Sequence, residues 1–109
     1  MEIVFKDERL RARMNDLKAL QRKYGEPGAK KIRTRLHALE SAETLEDMKY
    51  LPGRCHELTH DRKGQLALDL HKGFRLVFQP KEQSLTGTGQ SLDWSQVDAV
   101  VILEIIDYH

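Results

Sequence analysis

The sequence predicts a single α+β domain in the order strand, helix, helix, strand, strand, strand, with two N-terminal helices packed on a small, curved, antiparallel-dominated sheet. Apolar residues recur at helical spacing through the first third of the chain and alternate with period two between Leu66 and Phe78. Residues 97–106 form a run that is apolar on both faces. A chain of 109 residues has room for one modest core, so residues 1–109 are read as one domain.

Residues 2–5 lean apolar and suit an edge strand. From Asp7, whose carboxylate suits a helix cap, Leu10, Met14, Leu17, Leu20 and Tyr24 mark one helical face, and Gly25 supplies a stop. Pro27 is tolerated in a first helical turn, and Ala29, Ile32, Leu36 and Leu39 draw a second stripe behind it. So short a connection predicts an antiparallel helical hairpin. One further turn is expected near residues 44–48, before Leu51, Pro52 and Gly53 break regular structure. Leu66, Leu68 and Leu70 then alternate with Ala67 and Asp69, and Phe74, Leu76 and Phe78 with Arg75 and Val77. His71, Lys72 and Gly73 form a hairpin loop between these strands, with glycine supplying a positive backbone angle. Residues 80–96 are polar and predict a long loop anchored by Trp94, and the final apolar run predicts a central strand.

Hydrophobic residues make up 39% of the chain and charged residues 32%, which suits a folded domain better than a disordered one. No stretch approaches the roughly 18 apolar residues of a membrane span, and the first residues lack the pattern of a secretory signal. Cys55 is the single cysteine, so no internal disulfide and no multi-cysteine zinc site can form. A cytoplasmic protein without a membrane partner is the expectation. Net charge is only +1, yet charge is segregated: residues 6–37 carry eleven Lys or Arg against four acids, and after Lys81 there are five acids and no Lys or Arg. A near-neutral total can therefore still present a basic face.

Chemistry-bearing residues crowd the centre of the chain as Arg54, Cys55, His56, His60, Asp61, Arg62 and Lys63, followed by Arg75 on a strand and Tyr108 with His109 at the end. Imidazole, guanidinium and phenol together suit metal-independent phosphodiester cleavage. A 2′-hydroxyl must lose a proton, the pentavalent phosphorane needs its charge neutralised, and the leaving 5′-oxygen must gain a proton. Histidine serves either proton transfer, and arginine offers phosphate a fixed fork of donors. Period two puts Arg75 on the face opposite Phe74, Leu76 and Phe78. His37 and His71 are read as surface or turn residues, and Asp61 with Arg62 is as readily a turn held by an ion pair. A nucleophilic pair of Cys55 and His56 is disfavoured because neighbours on a strand face opposite ways, and the irregular histidine spacing gives no recognised metal site.

The runs Gly53-Arg54-Cys55-His56-Glu57-Leu58, Asp61-Arg62-Lys63-Gly64, Phe74-Arg75-Leu76-Val77-Phe78 and Glu104-Ile105-Ile106-Asp107-Tyr108-His109 together resemble the HigB-type plasmid maintenance killer proteins of the RelE/ParE toxin superfamily. The likeness extends over essentially the whole chain, helix pair included. It implies a RelE-like fold and the toxin of a type II toxin-antitoxin system, a ribosome-dependent endoribonuclease that cuts mRNA and blocks translation without a cofactor. Its implied partners are the ribosome, mRNA and a helix-turn-helix (HigA-like) antitoxin, through which alone DNA would be contacted. By position, the resemblance places catalytic roles on His56, Arg75, Tyr108 and His109 and RNA contacts on Arg54, His60, Arg62 and Lys63. His109 is the leading proton-transfer group, Arg75 the transition-state stabiliser, Tyr108 an aid to substrate placement and His56 a second proton-transfer group. A non-enzymatic, ParE-like gyrase inhibitor and a degenerate toxin kept as an antitoxin-binding co-repressor are the alternatives.

Overall fold

Two aspartates decide where the N-terminal helices begin. In a computed structural model, which describes residues 1–82 and 91–108, Asp7 accepts a hydrogen bond from the Leu10 amide at 2.8 Å and caps α1 (Glu8–Met14). Asp16 accepts from the Ala19 amide at 3.1 Å and caps α2 (Leu17–Ser41). The helix expected over residues 7–24 is thus divided. Its apolar stripe runs on without a break, but Asn15 and Asp16 favour caps over helix interiors, and the second cap restarts the helix.

Gly25, with φ +77°, interrupts α2 where the sequence places its stop. The chain doubles back there, because Leu17 and His37 line one groove although a straight helix would hold them about 30 Å apart. The expected helical hairpin is therefore present, with Pro27 in the first turn of its second arm. A 3-10 turn over Leu45–Tyr50 follows, close to the predicted single turn.

Five strands form one open mixed sheet, β1 (Glu2–Phe5), β2 (His56–Glu57), β3 (Leu66–Asp69), β4 (Phe74–Pro80) and β5 (Ala99–Asp107), in the spatial order β1-β5-β4-β3-β2. β1 is the expected edge strand and runs parallel to β5, while the other three pairings are antiparallel. The two-residue β2 is additional to the predicted order and too short to leave a periodic signature. At the hairpin between β3 and β4, Lys72 (φ 53°) shares the left-handed turn with Gly73 (φ 80°).

One face of the sheet packs on the helices. Leu66, Leu68, Leu76, Phe78, Val100 and Ile102 meet Leu20, Ala29, Ile32 and Leu39 in a single cluster, closed at one end by Leu45, Met48 and Trp94. The N-terminal ammonium is held by the carbonyls of Leu39, Glu40 and Ala42 at the end of α2. Trp94 is the anchor the sequence suggests, buried and donating from Nε1 to Glu57 at 3.1 Å. Residues 83–90 of the predicted loop lie outside the described residues, as does His109. No helix among the described residues is long and apolar enough to cross a membrane.

The hairpin is tightest at Gly28, where an added Cβ would stand 2.8 Å from the Cβ of Tyr24. Tyr24 is in turn set edge-on against Phe74, with ring centroids 5.0 Å apart, and cannot move aside freely. Gly28→Ala is expected to cost about 1–3 kcal/mol, the usual penalty of overpacking, read as a lowered urea midpoint. An unchanged midpoint would show that the two arms separate at no cost.

Candidate functional site

The face of the sheet turned away from the helices carries the chemistry. Asp69, Arg75 and Ile106 stand side by side across β3, β4 and β5, and His56, Ala67, Val77 and Glu104 form the next row. A β-bulge makes this arrangement possible. Leu76 faces Ile105 and Phe78 faces Ile102, so β5 spends three residues where β4 spends two. Beyond the bulge the alternation of β5 is reversed, and Glu104, Ile106 and Tyr108 share the face of Arg75.

A groove of about 350 Å³ opens on this face. Its floor and one wall are His56, Arg75 and Tyr108, and its other wall is the turn from Leu58 to Arg62. That turn is tied back by the Leu58 amide donating to the Gln65 carbonyl at 2.8 Å, and His60 takes the left-handed conformation there (φ 58°). Three of the four sequence-predicted catalytic residues therefore meet in one place, with His60 and Arg62 beside them. Lys63 is exposed and outside the lining, and His109, the leading proton-transfer group of the sequence reading, lies outside the described residues. A larger groove, about 550 Å³, lies on the helical hairpin among Leu17, Gln21, Lys30, Arg33 and His37. It also contains Glu26, but Glu26, Lys30, Arg33, Thr34 and His37 are all exposed to water, and it offers less organised chemistry than the smaller one.

The imidazole of His56 is oriented by its own chain. Its Nδ1 lies 2.8 Å from the carbonyl oxygen of Arg54. A carbonyl only accepts, so Nδ1 carries the hydrogen, and the neutral ring is left with a basic lone pair on Nε2. Arg54 makes this contact from a left-handed backbone (φ 49°), a strained conformation for a residue with a Cβ.

Arg75 is 17% exposed, and its guanidinium lies 3.7 Å above the centroid of the Tyr108 ring. Stacking on an aromatic face fixes the plane of the cation. Its Nε is 3.3 Å from Asp69, whose carboxylate also takes two contacts from Arg54, at 2.8 and 3.2 Å. Burial raises the Asp69 carboxyl, but the Arg54 hydrogen bond and the charges of Arg54, Arg75 and His56 outweigh it and hold the carboxyl below its ordinary value. Arg62 is likewise engaged, with Gln65 at 3.0 Å and Glu104 at 3.3 Å, and not in the turn ion pair with Asp61 that its sequence position suggests. Of the arginines expected to meet RNA, Arg54 and Arg62 are thus both occupied by carboxylates.

Cys55 is half-buried, and burial followed by the charge of Glu57 pushes its thiol up to about 12. It is therefore a protonated thiol near neutral pH, unsuited to act as a nucleophile beside His56. Among the described residues no group of three or more His, Cys, Asp or Glu is placed to hold a metal ion.

Sequence reasoning did not single out Asp69, Glu104 or Arg35. Asp69 carried a usable signal, since period two puts it on the same face as Arg75, across the hairpin. Glu104 carried none, because the bulge that turns it outward has no periodic signature. Arg35 sits in a helical stripe among apolar residues, yet it is buried and donates from Nε to the Asp69 carbonyl at 3.1 Å. No protein-family profile matches the chain, and no curated protein is significantly similar to it in sequence.

Two outcomes are expected at this site. His60→Gly should raise stability by about 0.5–1 kcal/mol, because relief of roughly 1–2 kcal/mol of left-handed strain exceeds the added freedom of glycine in the unfolded chain. A lower urea midpoint instead would show that the imidazole contributes contacts that hold the turn. The folded Asp69 carboxyl is depressed below 3.8, so its stabilising effect is complete above that pH and is lost as pH falls through the folded value. Asp69→Asn should accordingly flatten the acid limb of the stability curve measured by denaturation between pH 2 and pH 5.

Proposed function

We propose that this chain is an RNA-cutting toxin of the HigB type that acts without a cofactor on mRNA at the ribosome and is held in check by a helix-turn-helix antitoxin. The observation that carries this reading is the convergence, around one groove, of an imidazole with a basic Nε2, a guanidinium locked in plane and an exposed phenol ring. The resemblance of the central and terminal motifs supplies the substrate class, and the α+β architecture agrees with what that resemblance implies.

In this reading one imidazole, His56 or His109, removes the proton of a 2′-hydroxyl whose oxygen attacks the adjacent phosphorus. Arg75 neutralises the phosphorane oxygens, and the departing 5′-oxygen takes a proton from the other imidazole, leaving a 2′,3′-cyclic phosphate and a 5′-hydroxyl. Tyr108, 58% exposed, offers a flat apolar surface beside the reacting phosphate. His60 and Lys63 supply polar contacts to the backbone, Arg62 joins them by exchanging a carboxylate for a phosphate, and Arg54 adds its charge while it stays on Asp69.

A second reading, a degenerate toxin retained to bind its antitoxin, draws on one observation: the carboxylates of Asp69 and Glu104 already pair with three arginines at or beside the groove. Induction in a bacterial host without antitoxin separates the two. The nuclease reading expects growth arrest and new mRNA 5′ ends mapped by sequencing. Arg75→Ala should reduce cleavage roughly a hundredfold to a thousandfold, and His56→Ala on the order of a hundredfold, in variants that keep their circular dichroism and melting behaviour. Normal growth with abundant soluble protein would favour the co-repressor, and gyrase inhibition without new mRNA ends the ParE-like alternative.

A further inference from the structure

Asp69 ends β3 and is held in place by its own backbone before its side chain is considered. Its amide donates to the Gly53 carbonyl at 2.7 Å, and its carbonyl accepts from the Nε of Arg35, the buried arginine of α2. Gly53 packs closely on the same arginine, since an added Cβ there would stand 2.8 Å from Arg35 Nε. The carboxylate is thus carried on a rigid support and projects from it onto two guanidiniums, those of Arg54 and Arg75.

The position of this carboxylate relative to the groove is informative. The stacked pair of Arg75 and Tyr108 lines the groove on one side and a separate recess of about 170 Å³ on the other. Asp69 lines the recess and not the groove. It therefore meets Arg75 at Nε from behind, while Tyr108 covers one face of the guanidinium. The ion-pair contact with Asp69 is made through Nε, at the root of the guanidinium, and not through its outer nitrogens. A guanidinium ion-paired at Nε and stacked on a ring is limited in orientation, and a phosphate would meet it through its Nη groups, the fork that two phosphate oxygens accept. The same carboxylate fixes Arg54, whose carbonyl sets the tautomer of His56.

We propose that Asp69 is the positioning residue of this site, holding Arg75 from the side remote from substrate and, through Arg54, holding the carbonyl that orients His56. The inference rests on the RNA-cleaving reading for its substrate. An acid so placed opposes phosphate binding and favours turnover, because it repels the anion while removing the freedom of the cation that must meet the transition state. These opposed effects distinguish it from an acid that serves only the fold.

Asp69→Asn keeps the shape and removes the charge, and cleavage of ribosome-bound mRNA is the assay. The expected result is a fall in kcat of roughly tenfold to a hundredfold with KM unchanged or lower. Unchanged or faster turnover would overturn the proposal, showing the carboxylate to be only a brake on RNA binding. A fall in kcat with a raised KM and a large drop in melting temperature would overturn it as well, in favour of a purely structural role. A second measurement does not depend on activity: the Arg75 Nε–H resonance of the labelled protein should exchange slowly in the unsubstituted chain and be lost to solvent exchange in Asp69→Asn. If that signal behaves as expected while the unsubstituted protein cuts no RNA, the nuclease reading falls and the pinning of Arg75 stands. If the signal is the same in both proteins, the pinning itself is refuted.

Discussion

One extra residue in β5 decides what this protein can do. Had β5 paired with β4 without a bulge, Glu104 and Ile106 would follow Ile102 onto the helix-packed face, burying a carboxylate in the core and carrying Tyr108 away from Arg75. Burial of an unpaired carboxylate costs several kcal/mol, so the uninterrupted register is strongly disfavoured. The bulge resolves the conflict. Ile105 takes the inner position opposite Leu76, Glu104 turns outward to Arg62, and the end of the strand delivers Tyr108 onto the guanidinium of Arg75.

The groove that results is held by charge as much as by packing. Asp69 and Glu104 each restrain an arginine, Arg54 carries strain to present its carbonyl, and Arg35 connects the helical layer to the strand end that bears Asp69. These pairs are partly exposed, and their value to overall stability is modest. Their effect is geometric: Arg54, Arg62 and Arg75 are each restrained in orientation before any ligand arrives. That confinement costs side-chain entropy during folding, when the hydrophobic cluster beneath the sheet supplies the driving force, and not at the moment of binding. It also explains how a chain of net charge +1 can suit an anionic ligand, because what matters is which donors remain open and where they point.

Much of the architecture was legible from residue spacing. The stripes of α2, the alternation of β3 and β4, the left-handed hairpin turn, the edge position of β1 and the anchoring role of Trp94 all follow from local rules, since each records which side of an element must be dry. The division of the first helix was recorded too, in Asn15 and Asp16, but an uninterrupted apolar stripe outweighed it. The two-residue β2 left no trace because alternation needs more than two positions to be seen. Of the site, His56, Arg75 and Tyr108 were legible as residue types on suitable elements, whereas the carboxylates that restrain the arginines were not.

The sequence by itself determined the class of fold, the placement of Arg75 outside the apolar layer and the crowding of imidazole and guanidinium groups between Arg54 and Arg62. Those properties depend on periodicity and composition, which are local. Only the tertiary structure decided that Asp69 would stand behind Arg75, that Glu104 would leave the core for Arg62, and that His56 would carry its hydrogen on Nδ1. The first two depend on the register of one strand against another, which is settled by the packing of the whole sheet on its helices, and the third on the left-handed backbone of Arg54, which no spacing rule records.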